Sequence, residues 1–186
     1  MATTDVLVLC TANRCRSPMA AALLAAELQQ AGAALPVRSA GFLDAGWPAP
    51  VEVTQAMARY GIDLGRHRSR PVTVSDLDQA DLVLAATREH LRQAIVLAPG
   101  AWPRAFTLRE LARRGAATGP RPATQDLPAW LARVHAGRDR MALLGESAGD
   151  DVADPTGGPP DGYLQTAAGL HQLARTLAAL CWPAGT

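Results

Sequence analysis

The stretch VLVLCTANRCRSPMAAALLAAEL, residues 6–28, joins an apolar run to a helical pattern through a short polar loop. The apolar run has the length and composition of a strand buried on both faces of a parallel sheet. From Ser17 the pattern becomes helical, with Pro18 at an early helix position and Ala and Leu in the turns that follow. Packing gives no reason to place two cysteines, two arginines and a serine at this joint, so the joint is a candidate functional site.

Strand and helix patterns continue to alternate along the chain. Three further apolar runs have the length of buried strands: 37–40, 80–86 and 104–108. Helical patterns occur between or after them, at 51–60, 89–97 and 163–180. This alternation predicts parallel β-α-β units in a single-domain, three-layer α/β fold with helices on both faces of the sheet. Residues 76–81 are expected to form only a polar approach to the strand at 80–86.

Composition excludes several classes of function. The formal net charge of +1 gives no long-range attraction to nucleic acid or to a membrane surface. All 18 cationic side chains are Arg, so neither a P-loop NTPase motif nor a Schiff-base lysine is available. Three cysteines are too few for a disulfide framework and lack zinc-site spacing. We therefore expect a cytoplasmic protein with no metal site, no nucleic-acid partner and no membrane insertion.

The segment CTANRCRS, residues 10–17, fits the pattern C-x5-R-[ST] at a strand end and a helix start. A loop of this length directs backbone N–H groups inward, and the helix dipole adds positive charge, so the loop can hold a phosphate and favour the Cys10 thiolate. Arg16 supplies a planar fork for two phosphate oxygens. Ser17 can donate to the Cys10 sulfur, and Asn13 tolerates a left-handed bend. The residues expected around the phosphate are Thr11, Ala12, Asn13, Arg14, Cys15, Arg16 and Ser17.

Several motifs occur together in one order. They are CTANRCRSP after VLVL, RSAG at 38–41, HRSR at 67–70, ADLVLAA at 80–86 and Asp-Pro at 154–155. With them the sequence resembles the low-molecular-weight protein tyrosine phosphatases, in particular the bacterial branch near the protein arginine phosphatases. The resemblance implies a four-stranded parallel sheet and a two-step phosphomonoester hydrolase without a cofactor, acting on phosphotyrosine. It also implies that Cys10 forms a cysteinyl-phosphate and that Asp154 protonates the leaving oxygen and then activates water.

The resemblance also assigns supporting residues. Ser39 and His67 match positions that hydrogen-bond the phosphate loop, as Asn13 and Ser17 do. Cys15 matches the family's redox partner, which would capture oxidised Cys10 as a disulfide before over-oxidation.

The expected substrate cleft departs from the family pattern. Family members carry an aromatic residue after the Asp-Pro, where this chain has Thr156. Trp47, in the loop that corresponds to the variable cleft loop, is the candidate replacement for that wall. The substrate is expected to be a phosphorylated protein, such as a tyrosine kinase.

The assignment of Asp154 also has support from the residues. A leaving oxygen needs a proton donor, and one carboxyl group can act as acid and then as base. Asp150, Asp151 and Asp161 are nearby rivals, and the proline after Asp154 distinguishes it.

Two further departures concern specificity and domain length. Arg14 stands where protein arginine phosphatases tend to carry Thr, and a cation there should repel phosphoarginine and favour acidic surroundings. The distance from Leu108 to Asp154 exceeds the family pattern, which predicts an insertion around 112–145 within a single domain, 1–186. Gly/Pro clusters predict a loop over 112–128, and a helix is expected over 129–144.

Three alternative functions remain open. The first is an arsenate reductase on the same scaffold, which would need an outside thiol because no cysteine lies between Cys15 and Cys181. The second is a protein arginine phosphatase. The third is a phosphate-binding module without turnover, against which the intact Cys10, Arg16 and Asp154 argue.

Overall fold

A computed structural model describes residues 4–183 of the chain. Within these residues lie four strands: β1 (Val6–Cys10), β2 (Val37–Gly41), β3 (Leu82–Ala85) and β4 (Ala105–Thr107). The α-helices of the same region are α1 (Arg16–Gln30), α2 (Val51–Ala58), α3 (Val74–Gln79), α4 (Arg88–Leu97), α5 (Leu108–Thr118), α6 (Leu127–His135) and α7 (Pro160–Cys181). Short 3-10 helices occupy Pro99–Arg104 and Arg140–Leu143.

The strands form one parallel sheet in the order β2-β1-β3-β4, which confirms the four-stranded parallel sheet. Alternate residues of β1 pack into two separate cores, because successive side chains of a strand point to opposite faces. Val6 and Val8 pack with α1, α2, α5, α6 and α7 on one face. Leu7 and Leu9 pack with α3, α4 and the first 3-10 helix on the other face. The three-layer prediction is therefore confirmed.

All four strands end at the same edge of the sheet, since they are parallel. β1 ends at Cys10 and its neighbour β2 ends at Gly41, and these two residues are register partners. Ligands of open α/β sheets bind beyond this edge, so the candidate phosphate loop lies where the fold provides a site.

Residues 76–81 were expected to be only a polar approach to a strand, and this prediction is wrong. Helix α3 occupies most of the segment. Thr73 caps it: the Thr73 hydroxyl accepts from the backbone N–H of Asp76, whose carboxylate accepts from the backbone N–H of Thr73. This is a capping box, and its sequence signature was present in the chain.

The prediction of a loop over 112–128 is also wrong for the first part of that range, 112–118. Helix α5 continues to Thr118 and passes through Gly115, one of the glycines on which the loop prediction depends. A Cβ atom at position 115 would lie 3.1 Å from the Trp130 ring and 3.2 Å from Leu180. The glycine is there because α6 and α7 pack closely against this turn of the helix.

The helix predicted over 129–144 is shorter than expected. Helix α6 ends at His135, and Gly137 then adopts a left-handed backbone with φ of 72°. A 3-10 turn follows at Arg140–Leu143, so one predicted helix corresponds to two separate elements.

Buried Arg138 ties the segment 112–145 to the rest of the fold. Its guanidinium donates to both carboxylate oxygens of Glu110, at 2.8 and 2.9 Å. It lies between the rings of Trp102 and Phe106, at 3.8 and 4.0 Å from their centroids. Because α6 also contributes Trp130 to the core, we propose that the segment belongs to one domain with the sheet. Its status as an insertion stays a prediction.

None of the helices within residues 4–183 is both long enough and apolar enough to span a membrane.

Candidate active site

The phosphate loop connects the end of β1 at Cys10 to the start of α1 at Arg16. Cys15 occupies the N-cap position of α1 and makes no side-chain capping bond, so the first N–H groups of this helix have no side-chain acceptor there. The Cys10 sulfur lies 3.0 Å from the Ser17 hydroxyl oxygen, and Cys10 is only 2% exposed. The geometry matches the contact predicted between these two residues.

Asn13 holds the loop in its bent form. It has a left-handed backbone with φ of 51°, and it is fully buried. Its side-chain amide donates to Ser17 Oγ at 3.0 Å and to Ser39 Oγ at 2.8 Å. Its side-chain oxygen accepts from the backbone N–H of Arg70 at 3.1 Å, and His67 Nε2 donates to its carbonyl oxygen at 2.6 Å. The four residues expected to support the loop thus lie together.

Gly41 explains why β2 must end in a glycine. A Cβ atom on Gly41 would lie 2.6 Å from the backbone nitrogen of Asn13 and 2.7 Å from the carbonyl oxygen of Thr11. These atoms belong to the loop backbone, so they cannot rotate away as a side chain could. The next residue, Phe42, donates its N–H to the same Thr11 carbonyl at 2.7 Å.

Arg16 is buried, with 5% of its surface exposed, and its guanidinium faces the cleft. Nη2 donates to Asp154 Oδ2 at 2.6 Å and to Thr11 Oγ1 at 3.2 Å, and Nη1 donates to the Val152 carbonyl at 3.3 Å. Nε is buried and has no hydrogen-bond partner among residues 4–183. A buried N–H without an acceptor is uncommon in proteins, and this one fits an oxyanion.

A cleft of about 250 Å³ opens over the phosphate loop. Its walls consist of loop residues, the Asp154 region and an apolar rim: Cys10, Thr11, Ala12, Arg14, Cys15, Arg16, Leu43, Pro50, Asp154 and Thr156. The side chain of Asp154 is 44% exposed, so a molecule in the cleft can reach it.

The rival carboxylates have other partners. Asp150 is buried and pairs with Arg88 at 2.7 Å and with Arg113 at 3.0 Å. Burial alone would raise the pKa of Asp150, but the hydrogen bonds from these two arginines outweigh it and the pKa is lowered. Asp151 accepts from the backbone N–H groups of Arg88 and Ser147. Asp161 lies in the first turn of α7 and does not line the cleft.

The apolar side of the cleft differs from the sequence prediction. Leu43 and Pro50 form it, and neither was singled out from the sequence. Trp47 does not line the cleft and is 57% exposed. It stands beside Arg14, whose guanidinium carbon is 5.7 Å from the ring centroid and whose Nε donates to the Pro48 carbonyl at 3.0 Å. Thr156 does line the cleft, at the position where family members carry an aromatic residue.

All three cysteines are free in the structure. Cys15 shares the cleft wall with Cys10. Burial, with added contributions from Asp154 and Cys10, raises the pKa of Cys15 to about 12, so this thiol is protonated at neutral pH. Redox capture of Cys10 by Cys15 stays a prediction. Cys181 is fully buried at the end of α7 and packs in the core.

One buried residue at this site was missed by sequence reasoning. His90, in the first turn of α4, places its Nε2 atom 2.9 Å from the Thr11 hydroxyl oxygen. The sequence TREH signals a helix start but nothing about a partner 79 residues earlier. Across residues 4–183, no group of three or more His, Cys, Asp or Glu side chains is arranged to hold a metal ion.

The chain is similar to known proteins over most of its length. The family model described as low molecular weight phosphotyrosine protein phosphatase matches residues 5–118. A protein-arginine-phosphatase of Bacillus subtilis (strain 168) is 34% identical over 176 residues, which span 94% of this chain and 94% of that protein. A probable low molecular weight protein-tyrosine-phosphatase, EpsP, of Ralstonia solanacearum is 37% identical over 107 residues, or 57% of this chain and 71% of that protein. The crystal structure of a low molecular weight protein tyrosine phosphatase from T. tengcongensis is 30% identical, with a TM-score of 0.71 over 94% of this chain and 97% of that one.

Proposed function

Because the chain belongs to the low molecular weight protein tyrosine phosphatase family, whose members are cysteine-based phosphatases, we propose that Cys10, Arg16 and Asp154 carry out phosphomonoester hydrolysis here. One observation carries the proposal. The nucleophile candidate, the buried guanidinium and the exposed carboxylate line one cleft, although 138 positions separate Arg16 from Asp154. No packing requirement explains that meeting, whereas phosphoryl transfer uses all three groups.

The phosphate loop supplies binding and nucleophilic attack. The N–H groups at the start of α1 and the Arg16 guanidinium hold the phosphoryl oxygens, and they stabilise the charge that spreads over those oxygens in the transition state. The Cys10 sulfur attacks phosphorus as the bond to the leaving oxygen breaks, which forms a cysteinyl-phosphate. The Ser17 hydroxyl, 3.0 Å from the sulfur, stabilises the thiolate before attack and when it leaves again.

Asp154 supplies the proton transfers. As a carboxylic acid it donates a proton to the leaving oxygen, and as a carboxylate it then accepts a proton from the water that attacks phosphorus. Its contact with Arg16 holds it beside the phosphate site. A phosphate that binds the Arg16 guanidinium displaces the Asp154 carboxyl group from that contact and leaves it beside the leaving oxygen.

Phosphotyrosine on a protein is the proposed main substrate. Leu43 and Pro50 give one side of the cleft an apolar surface on which a phenyl ring can lie. This surface takes the place of the aromatic side chain that family members carry at the position of Thr156. A phosphorylated tyrosine kinase is a proposed protein substrate. A cytoplasmic location is proposed because the Cys10 thiolate must stay reduced, as it does in a reducing compartment.

Phosphoarginine is the second candidate, and the similarity to the protein-arginine-phosphatase of Bacillus subtilis supports it. Arg14 argues for phosphotyrosine. It lines the cleft, and its fixed charge repels the guanidinium of a phosphoarginine side chain.

A substrate panel tests both proposals. Initial rates are measured with p-nitrophenyl phosphate and with matched peptides that carry phosphotyrosine, phosphoserine or phosphoarginine. We expect the highest kcat/KM among the peptides for phosphotyrosine. A preference for phosphoarginine would overturn the main substrate proposal, and an Arg14→Thr variant would then be expected to raise that preference further. Absence of turnover on every substrate would overturn the phosphatase proposal itself.

A further inference from the structure

His90 is buried behind the phosphate loop, with only 4% of its surface exposed. Each ring nitrogen faces a threonine hydroxyl: Nε2 lies 2.9 Å from Thr11 Oγ1, and Nδ1 lies 2.8 Å from Thr87 Oγ1. The Phe42 ring is stacked on the imidazole, with 6.1 Å between centroids and 5° between planes. The ring is therefore held in one orientation between two hydroxyl groups.

The imidazole of His90 is neutral at physiological pH. Burial, followed by the charge of Arg16, lowers the pKa of His90 to about 4. A neutral imidazole carries one N–H, so one of its nitrogens donates a hydrogen bond and the other accepts one.

Thr87 determines which nitrogen carries the hydrogen. Its hydroxyl oxygen caps α4 by accepting from the backbone N–H of His90 at 3.3 Å. Its hydroxyl hydrogen has Nδ1 as an acceptor within reach. If Nδ1 accepts, the ring N–H is on Nε2 and donates to Thr11 Oγ1. In the opposite tautomer Nδ1 would carry the hydrogen and donate to the Thr87 oxygen, which already accepts from the His90 backbone N–H. The Thr87 hydroxyl hydrogen would then lose Nδ1 as its acceptor.

The Thr11 hydroxyl then has one remaining use. Its oxygen accepts from His90 Nε2 and also from Arg16 Nη2 at 3.2 Å, and two donors fill both lone pairs of a hydroxyl oxygen. The hydroxyl hydrogen is left to donate, and Thr11 lines the cleft. An anionic oxygen is the strongest acceptor that could meet it there.

We propose that His90 is a positioning residue that, together with Arg16, fixes the Thr11 hydroxyl as a hydrogen-bond donor to a phosphoryl oxygen in the cleft. The proposal rests on the proposed phosphatase function and adds a side-chain donor to the backbone N–H groups of the loop. His90 acts only through Thr11, since His90 does not line the cleft and its Nε2 contacts the Thr11 hydroxyl, whose residue does. Loss of His90 frees a lone pair on Thr11, so the hydroxyl is no longer committed to donating outward.

The experiment measures the inhibition constant of inorganic phosphate against p-nitrophenyl phosphate hydrolysis, together with kcat and KM, for a set of variants. Thr11→Val removes the hydroxyl at constant shape and is expected to weaken phosphate binding about tenfold. His90→Leu is expected to weaken it about fivefold. The double variant is expected to match Thr11→Val alone, because both changes remove the same hydrogen bond.

Conservative variants separate this role from a merely structural one. The side-chain amide nitrogen of Gln can occupy the place of Nε2, so His90→Gln is expected to stay within about threefold of the wild type. Thr11→Ser keeps the hydroxyl and is expected to behave similarly. Thermal unfolding without phosphate monitors the fold of each variant. If His90→Leu fails to fold, the comparison of Thr11→Val with Thr11→Ser still tests the donor.

Three outcomes would overturn the inference. They are wild-type phosphate affinity in Thr11→Val, losses that multiply in the double variant, and equal losses in His90→Gln and His90→Leu. Each presupposes that the wild type hydrolyses the substrate and is inhibited by phosphate. A wild type that does neither overturns the proposed function instead, so the two failures are distinguishable.

Discussion

The phosphate loop, residues 10–17, and the Asp154 segment, residues 150–158, face each other across one cleft, and they are held in opposite ways. Asn13, in the loop, is fully buried and connected to Ser17, Ser39, His67 and Arg70. Asp154 is 44% exposed, and besides Arg16 its carboxylate contacts only the N–H of Thr156, within residues 4–183. Charge stabilisation in the transition state needs fixed dipoles, whereas a proton donor must approach leaving groups of different size. The difference in anchoring therefore fits the different roles proposed for the two regions.

The Asp154 segment is anchored just before Asp154. Asp150 is buried between Arg88 and Arg113, and the N–H of Val152 donates to the Ala86 carbonyl at 2.8 Å. After this anchor the chain is exposed at Ala153, at Asp154 and at the three residues that follow Pro155, while Pro155 itself is buried. We expect substitution of the reacting side chains of the phosphate loop to cost more activity than substitution of Asp154, and changes that only shift or loosen the backbone around them to cost less still.

Cys10→Ser should have the largest effect. An alcohol is far less ionised than a thiol, so turnover of p-nitrophenyl phosphate should fall by about 10⁴-fold or more. Binding of inorganic phosphate should persist, because Arg16 and the loop N–H groups remain. Cys181→Ala, in the core far along the chain, serves as the control and should keep its activity. Residual turnover above about 1% in Cys10→Ser would contradict the assignment of the nucleophile.

Arg16→Lys should follow, with kcat/KM lowered by about 10²- to 10³-fold. Lysine keeps the charge but cannot reproduce the fork that contacts Asp154, Thr11 and Val152 at once. Steady-state kinetics with p-nitrophenyl phosphate measure the loss. The exposed Arg175→Lys on α7 is the matched control, with no expected change. A mild effect at position 16 would show that charge alone, without planar geometry, suffices.

Asp154→Ala should lower kcat on aryl phosphates with basic leaving groups by about 10²-fold. Leaving groups that are already acidic need little protonation, so they should be affected less. A series of aryl phosphates measures this as a steeper dependence of kcat on leaving-group acidity. Asp161→Ala is the control. Uniform losses across the series would move the proton donor away from position 154.

Gly41→Ala tests whether the loop must stay where it is. The added methyl group would meet backbone atoms at 2.6 and 2.7 Å, so the loop has to shift. We expect kcat/KM to fall by about tenfold and the free energy of unfolding to fall by about 2 kcal/mol. Gly100→Ala, where nothing lies within 4 Å of the added atom, should change neither. Chemical denaturation and kinetics on the same samples check both numbers.

Asp150→Asn should have the smallest effect on activity, about threefold, because it weakens the anchoring of the Asp154 segment and leaves the cleft intact. The free energy of unfolding should fall by about 2 kcal/mol at neutral pH, since Arg88 and Arg113 lose a charged partner. The folded-state pKa of Asp150 is lowered, so its contribution is present above its unfolded pKa of about 4 and is lost as pH falls through the folded value. The gap between variant and wild type should therefore narrow below about pH 4, measured by denaturation across pH.

The sequence was most informative where the site is local. Residues 10–17 are contiguous, and the strand-to-helix joint constrains the positions of Cys10, Arg16 and Ser17 relative to one another. The predictions for Ser39 and His67 relied on the family resemblance, because their contacts with Asn13 cross between elements. Asp154 could be singled out only by its proline, and its meeting with Arg16 depends on the whole fold.

What could not be predicted depends on distant packing. Leu43 and Pro50 line the cleft because the segment after β2 runs beside the phosphate loop, which no local pattern encodes. The sequence around His90 shows only a helix-start signal. The partner of its ring, Thr11, lies 79 residues earlier, in the loop after β1. Gly115 gave a misleading signal, since a glycine that permits close packing cannot be distinguished by sequence from one that ends a helix.

The contact between Arg16 and Asp154 has a consequence for the binding of substrate and the release of product. The Asp154 carboxylate competes for the Arg16 guanidinium to which a substrate phosphate is proposed to bind, and this competition is intramolecular, so it is present at any protein concentration. Under the proposed function, a substrate phosphate binds by displacing Asp154 from Arg16, which leaves the carboxyl group beside the leaving oxygen. Return of the carboxylate to Arg16 after hydrolysis would then favour release of inorganic phosphate and weaken inhibition by that product.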